Sequence, residues 1–573
     1  MKRCPECRRD YYDETLLYCL DDGNALLDGP SSGKIEPPAS STGQIDDEPQ
    51  TAILHETAAP AEAATRAQIH KTDQTAVFPT GVGANVPKAR GFDKRLVAAP
   101  LLAILIAIGV YFGYRYFNPT TGGQINSIAV LPFQNRSGDP NSEYLSDGLA
   151  ESLIYRLSQL PDLKVSPTSS VIQYKGKDTK VATIASELGV DAVMTGRLAQ
   201  IGNNLTISVE LVDVRNNKLL WGEQYERKMA DLLATQREIA ATITQKLQLK
   251  LSGEGERRLA KTYTTDDEAY QLYLRGRFHF ARRTKDDVLK SIEYYRQAAA
   301  VAPDFSLAYV GMAEAFTVGS SNDTFSRDEG IKSAVTAARK ALELDPNLAE
   351  AHAALGWALM NSGFGNWSEA EAAFKRSIEI NPNIANSHYY YSRLLKVLGR
   401  ADEGLREMER AVELEPLSLI LNANLAGAYV SARQYEKATM QIQRTKDLDP
   451  AFLPTQWYFC WVAAVTGKYD EILTDTHKQN PRLTAFIGFA YAKTGRVDEA
   501  RSILRELQET RPHSDAAFVY IGLGDTENAF AEMEKAVQAR EFDAAEIKVD
   551  PFWDPLRGDP RYKDLLKRMG LPE

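Results

Sequence analysis

The sequence predicts a multidomain chain of α/β plus α class. It comprises a small cysteine knuckle, a disordered linker, one transmembrane helix, a compact α/β domain and a long α-solenoid. Three observations carry this reading. Leu96 to Tyr114 holds no charged side chain, strand and helix periods alternate between about 125 and 251, and from Asp267 onward prolines recur near a fixed spacing. The chain has 573 residues, 44% of them hydrophobic, which is material for several domains. Its formal charge of -10 gives no general nucleic-acid signal, and no nucleic-acid partner is expected.

Residues 1–28 open with Cys4-Pro5-Glu6-Cys7, and Cys19-Leu20-Asp21-Asp22 repeats that outline with Asp22 where a second-pair cysteine would stand. Three thiolates and a carboxylate at this spacing suit one tetrahedral structural Zn²⁺ held by Cys4, Cys7, Cys19 and Asp22. The altered fourth ligand leaves open a degenerate ribbon that folds without metal. Residues 29–95 are a Pro, Ser, Thr, Ala and Gly mixture with no sustained apolar period, as a disordered tether is. Within it Gln-Thr-Ala-(Ile/Val) occurs at Gln50 and Gln74, offering Thr51 and Thr75 as phosphorylatable positions, although so biased a segment repeats by chance.

The apolar stretch is long enough, at ~1.5 Å per residue, to cross a hydrocarbon layer of ~30 Å, and residues 96–117 are expected to form the single transmembrane helix. Lys88, Arg90, Lys94 and Arg95 crowd its amino-terminal side, so residues 1–95 are expected in the cytoplasm and the rest outside the inner membrane, periplasmic or otherwise extracytoplasmic.

Next, Ser127 to Phe133 reads as an apolar strand, and a helix is expected from about Glu143 to Leu160 with Leu145, Leu149, Leu153 and Leu157 on one face. A brief strand at Lys164 and a helix over Val181 to Leu188 follow. Three strands are then expected over 191–198, 204–214 and 218–225, with a closing helix over 231–249. The blocks SIAVLPFQNRSGDPNSEYLSDGLAESLIYRLSQLPDLKV, SSVIQYKG, ELGVDAVMTGRL and VELVDVRNNKLLWGEQYER resemble the TolB amino-terminal-like domain over about 125–251. The resemblance implies a binding or relay domain with no chemistry of its own, of a bacterial kind that commonly precedes tetratricopeptide arrays. In such proteins an effector often stands in front, and here a ribbon and tether take its place. The turn residues Asn135, Arg136, Asp139 and Asp147 are a candidate surface, with helix capping and turn shaping as the plainer reading.

From 267 to 545 Pro303, Pro346, Pro382, Pro416, Pro450, Pro481 and Pro512 stand 43, 36, 34, 34, 31 and 31 residues apart, the tetratricopeptide period, for about eight repeats. Small and large packing positions agree with that register: Gly356, Ala370 and Phe374, and again Gly488, Ala500 and Leu504. Residues 546–573 read as a terminal cap. In the first helices, expected to line a concave groove, Trp357, Met360, Asn386, Tyr389, Arg393 and Lys396 form an aromatic and basic strip suited to an extended or acidic peptide. Solvated charge with aromatic packing is the plainer alternative.

No G-x-x-x-x-G-K-[ST], H-E-x-x-H or G-x-S-x-G pattern and no kinase catalytic loop is present, so the chain is not expected to be an enzyme. The leading expectation is a membrane-anchored interaction scaffold. The alternative is a transmembrane relay in which binding outside changes what the ribbon and linker recruit inside.

Overall fold

The computed structural model describes residues 125–572, except 140, 141, 161, 250, 323 and 511, together with three two-residue strands near the amino terminus. Those strands, β1 (Lys2–Arg3), β2 (Asp10–Tyr11) and β3 (Leu27–Asp28), pair antiparallel in the order β2-β1-β3. They fall in one compact unit, Met1–Ala99, and every other described residue falls in a second, Pro100–Glu573. The expected zinc ligands Cys4, Cys7, Cys19 and Asp22, the linker, and the apolar stretch at 96–117 lie outside the described residues. Among the described residues no helix is long and apolar enough to cross a membrane.

The second unit begins with a mixed sheet. Strand β4 (Ser127–Val130) lies between β6 (Lys164–Val165) and β7 (Ala192–Ile201), parallel to both. Strands β8 (Asn204–Asp213) and β9 (Lys218–Lys228) continue it antiparallel, and the short β5 (Gln134–Asn135) pairs with the far part of β7. Parallel neighbours need crossover connections. Helix α1 (Glu143–Ser158) supplies one, and α2 (Val181–Leu188) lies within the other. Leu145, Leu149, Leu153 and Leu157, four apart on α1, are all at most 1% exposed and form the apolar face against the sheet. Along β8, Leu205, Ile207, Val209 and Leu211 are buried at a period of two, as a strand with one covered face requires. Gly196 on β7 is a close-approach position, because a Cβ there would stand 2.4 Å from the Phe133 ring.

The helix expected over 231–249 is α3 (Leu232–Lys246), and it is followed by α4 (Gly253–Ala260), which the sequence pattern did not announce. The capping side chain of Ser252 accepts from the Gly255 amide and starts α4.

Eight helix pairs then follow among the described residues. The first three are Asp267–Arg282 with Lys285–Val301, Ser306–Ser321 with Arg327–Leu344, and Ala349–Asn361 with Trp367–Ile380. The fourth and fifth are Ala385–Val397 with Ala401–Leu414 and Leu419–Ser431 with Tyr435–Leu448. In the sixth, Leu453–Val465 is followed by only two four-residue helices, Tyr469–Ile472 and Asp475–Lys478. Thr484–Lys493 with Val497–Thr510 and His513–Leu523 with Thr526–Gln538 complete the set. Small residues let paired helices approach while large ones fill the gap, and the fully buried Tyr295 shows how: its ring lies against both Gly276 and Gly311.

The array is fused to the α/β domain. Arg156 of α1 donates through Nη1 to the carbonyls of Leu259 (2.7 Å) and Lys261 (2.9 Å), and the Ser152 hydroxyl bonds that of Tyr270. Arg277 joins Glu151 of α1 to Glu314 of the second pair. The far end of the array returns on itself. Trp367 Nε1 donates to the Met569 carbonyl (2.9 Å), Arg327 to the Arg540 carbonyl (2.8 Å), and Arg433 to the Val549 carbonyl (2.6 Å). The tail from Arg540 to Leu571, with a last helix at Pro560–Arg568, therefore packs on repeats two to five and not merely over the end of the eighth.

Candidate interaction groove

The inward strip expected from sequence divides into two parts. At one end the Trp357 indole stacks on Tyr390, with ring centroids 4.5 Å apart and planes 12° from parallel, and Tyr389 leans on Tyr390 at 4.9 Å. Trp357, the exposed Asn386 and Tyr390 line a cavity of about 920 Å³ between the array and the α/β domain. At the other end the basic residues are engaged by the chain's own tail. The Arg393 guanidinium lies 4.7 Å over the Phe542 ring, and Lys396 pairs with Glu546 at 2.5 Å while resting 5.0 Å over Trp461. Both side chains of that ion pair are under a fifth exposed, at 18% and 17%.

Met360 corrects the expectation. It lies one turn from Trp357, but it is fully buried among the core side chains and lines neither cavity. Tyr389 is half-buried against the cluster of Leu405, Met408 and Leu425 and also lines neither cavity. Tyr390, which sequence reasoning passed over, holds the inward position instead. It stands 33 residues after Trp357, short of the 36 that separate Pro346 from Pro382, so the repeat spacing gave no signal for it.

Burial works against the charge of Arg393, yet the neighbouring Tyr389, Glu546, Tyr458 and Asp543 hold its pKa above the ordinary guanidinium value. In the tail, burial pushes the Asp543 carboxyl upward and raises that of Asp550 to about 6, against a hydrogen bond from the Phe552 amide and the charge of Lys396. Beyond Arg393 and Lys396 a second cavity of about 250 Å³ continues the groove past Ile420, Leu453 and Trp457. Those three apolar side chains are 43%, 56% and 37% exposed.

The larger cavity is bounded on the α/β side by Tyr155, along the connecting segment by Tyr263, and on the array side by Tyr270, Tyr273, Glu350 and Glu415. Gln159 Nε2 donates to Glu350 at 3.2 Å and Ser169 Oγ to Glu415 at 2.6 Å. Burial raises the pKa of both carboxyls. None of these residues carried a sequence signal for a site, since Glu415 directly precedes Pro416 and Glu350 follows Pro346 by four residues, places near a repeat boundary where solvated charge is ordinary.

The turn at Asn135 is structural. Its Nδ2 donates to the Asp139 carbonyl and to Glu143, both at 3.1 Å, and Lys175 Nζ bonds Asp147 at 2.7 Å. Among the described residues no cluster of His, Cys, Asp and Glu is arranged to hold a metal. Cys460 is buried, and burial pushes its thiol up to about 12, which leaves it an apolar packing residue.

Residues 124–242 match the family model for the second domain of HilA/YgeH-like transcriptional regulators, and residues 515–543 match a tetratricopeptide-repeat model. The chain is 38% identical over 151 residues to putative adenylate cyclase 3 of Rhizobium meliloti (strain 1021), a stretch covering 26% of each protein. It is 24% identical over 304 residues to the transcriptional regulator HilA of Salmonella typhimurium (strain LT2), covering 52% of each. The chain thus spans about a quarter and about half of the lengths of these curated relatives. Among solved structures, the thermophilic TPR protein TTC0263 of Thermus thermophilus is similar at 15% identity and a TM-score of 0.29, covering 34% of this chain and 98% of that one. YrrB, described as a TPR protein with an unusual peptide-binding site, is similar at 20% identity and a TM-score of 0.23, covering 33% and 90%. The helix pairs and the repeat-model match together make the carboxy-terminal region a tetratricopeptide-repeat array, which follows a small α/β domain with a mixed sheet.

Proposed function

We propose that this chain is a non-enzymatic protein-interaction scaffold whose repeat array receives an extended segment of a protein partner. The observation that carries the reading is the inward face of the array. There Trp357, Asn386 and Tyr390 open onto a roomy cavity shared with the α/β domain, and the groove continues to exposed Leu453 and Trp457. Concave sites lined by aromatic side chains with a few placed polar groups are what ordered ligands and peptides occupy. In this reading the α/β domain is a TolB amino-terminal-like binding module, and residues 96–117 anchor the protein in the inner membrane with both domains outside the cytoplasm. Cys4, Cys7, Cys19 and Asp22 hold a structural zinc on the cytoplasmic side. Likeness to transcriptional regulators rests on a second-domain model and on 24% identity over about half of each chain, and the net charge of -10 offers phosphates little attraction, so no nucleic-acid contact enters the reading.

The relay reading draws support from one feature. The cavity has walls from both the α/β domain and the array, so an occupant there would bear on both at once. Crosslinking in intact membranes tests the scaffold. Full-length protein is expected to capture a defined partner that is lost on deleting residues 267–573 and weakened by Asn386→Arg, which crowds the cavity mouth from an exposed position. The same captured proteins with and without residues 267–573 would remove the array as the binding element.

A further inference from the structure

We propose that the cavity between the α/β domain and the repeats is a receptor for an alkylammonium group, with Glu350 and Glu415 as counter-charges and Tyr155, Tyr263, Trp357 and Tyr390 as walls. This deepens the scaffold reading, on which it rests where the ammonium belongs to a partner's lysine.

Its basis is an imbalance between charges at the rim and charges inside. Glu350 and Glu415 are partly buried, and among the described residues no ion pair reaches either one. Their hydrogen bonds come from neutral groups: Gln159, the Tyr155 hydroxyl and a backbone amide at Glu350, and Ser169 at Glu415. Lys261 acts on Glu350 only at longer range, since its Nζ is engaged by Asp345 at 2.5 Å. A carboxylate drawn away from water without a cation is costly, and a counter-ion relieves that cost.

The cations that line the same cavity do not fill this role. Arg277 is taken by Glu151 and Glu314, and Arg410 pairs with Glu413 at 3.1 Å. Arg156 is spent on two backbone carbonyls. Lys164, Arg237 and Arg283 are exposed, which places them at the solvent edge. The interior that remains is aromatic and acidic. Tyr155 and Tyr263 stand with ring centroids 5.9 Å apart and hydroxyls bonded at 3.0 Å, and the Trp357–Tyr390 stack lines the cavity as well. Aromatic faces with a nearby carboxylate are the recognised environment for an ammonium head, and the alkyl stem that carries it packs on the ring edges. Anionic ligands are disfavoured by the same carboxylates.

The test is calorimetric titration of the full-length protein in detergent with three probes. They are cadaverine, an acetylated and amidated Ala-Ala-Lys-Ala-Ala peptide, and the same peptide with norleucine for lysine. Wild-type protein should bind at least one amine probe and not the norleucine peptide. Glu350→Gln and Glu415→Gln should each weaken that binding tenfold or more, and the double variant should abolish it. Both substitutions remove a desolvated charge and keep the acceptor shape, so the thermal midpoint should hold or rise. Binding of the lysine peptide alone assigns the ammonium to a partner chain, and binding of cadaverine alone assigns it to a free amine. Absence of binding by both amines, or binding unchanged in the double variant, overturns the proposal. The titration needs no protein partner, so loss of partner capture with amine binding intact sinks the scaffold reading alone. Partner capture with no amine binding sinks this inference alone.

Discussion

Replacing Gly276 by Ala tests the packing rule on which the array is built. A Cβ at Gly276 would stand 2.4 Å from Cε1 of Tyr295, and one at Gly311 2.6 Å from Cζ of the same ring. Carbon atoms in contact prefer ~3.5 to 4.0 Å, so the ring or a helix must give by more than ~1 Å. Tyr295 has little room to move, since it is fully buried and packed by Tyr273 and the two glycine-bearing helices. Overpacking of this kind costs ~1 to 3 kcal/mol, whereas Ala in place of Gly inside a helix gains ~1 kcal/mol. Gly276→Ala should therefore destabilise by ~0 to 2 kcal/mol, a range too broad to be decisive alone. The decisive quantity is the change of sign in a Tyr295→Leu background. There the clash is gone and the same substitution should stabilise by up to ~1 kcal/mol, a coupling of ~1 to 3 kcal/mol. Urea unfolding followed by far-ultraviolet circular dichroism on the four proteins of the cycle measures it, provided the m-value is constant. A coupling below ~0.5 kcal/mol would refute the claim that the ring dictates glycine at this position.

The Tyr295 hydroxyl has no hydrogen-bond partner among the described residues, so Tyr295→Phe should raise stability by ~1 kcal/mol, and a fall in the urea midpoint would count against that geometry. Asp550, raised by burial to about 6 from 3.8, holds its proton more tightly in the folded protein than in the unfolded chain. Its stabilising contribution is complete below 3.8 and lost as pH rises through about 6. Asp550→Asn, which keeps the acceptor for the Phe552 amide, should thus stabilise the tail at pH ~7.5 by at most about 3 kcal/mol and do little at pH ~3.5. Equal effects at the two pH values would discard the linkage. A reporter active only outside the cytoplasm, fused after Glu573, should be active, and activity from an amino-terminal fusion instead would reverse the orientation. Residues 1–30 should hold about one Zn²⁺ that Cys7→Ser abolishes, and metal-free native protein would remove the site.

The repeat period was legible because it is local. Gly356 and Phe374, or Ala500 and Leu504, meet within one or two helices, so their spacing repeats along the chain wherever the packing repeats. The α1 face was legible for the same reason. The inward strip was read only in part. Helical spacing put Tyr389 on the strip, whereas the residue that stacks on Trp357 is its neighbour Tyr390. The status of Arg393 and Lys396 was beyond reach, since nothing near them in sequence announces Phe542 and Glu546.

By itself the sequence determined the order of elements other than α4 and β5, the apolar faces of the helices and strands, and the small and large positions at which successive helices lock. These follow from short-range sterics and from burial at fixed periods. Only the tertiary structure decided which inward residues are free. Gln159 meets Glu350 across 191 residues and Ser169 meets Glu415 across 246. Such meetings depend on the summed rotation of many helix pairs. A small angle at each pair, unmarked by any single residue, carries the tail back onto repeats two to five and closes the cavity over the α/β domain.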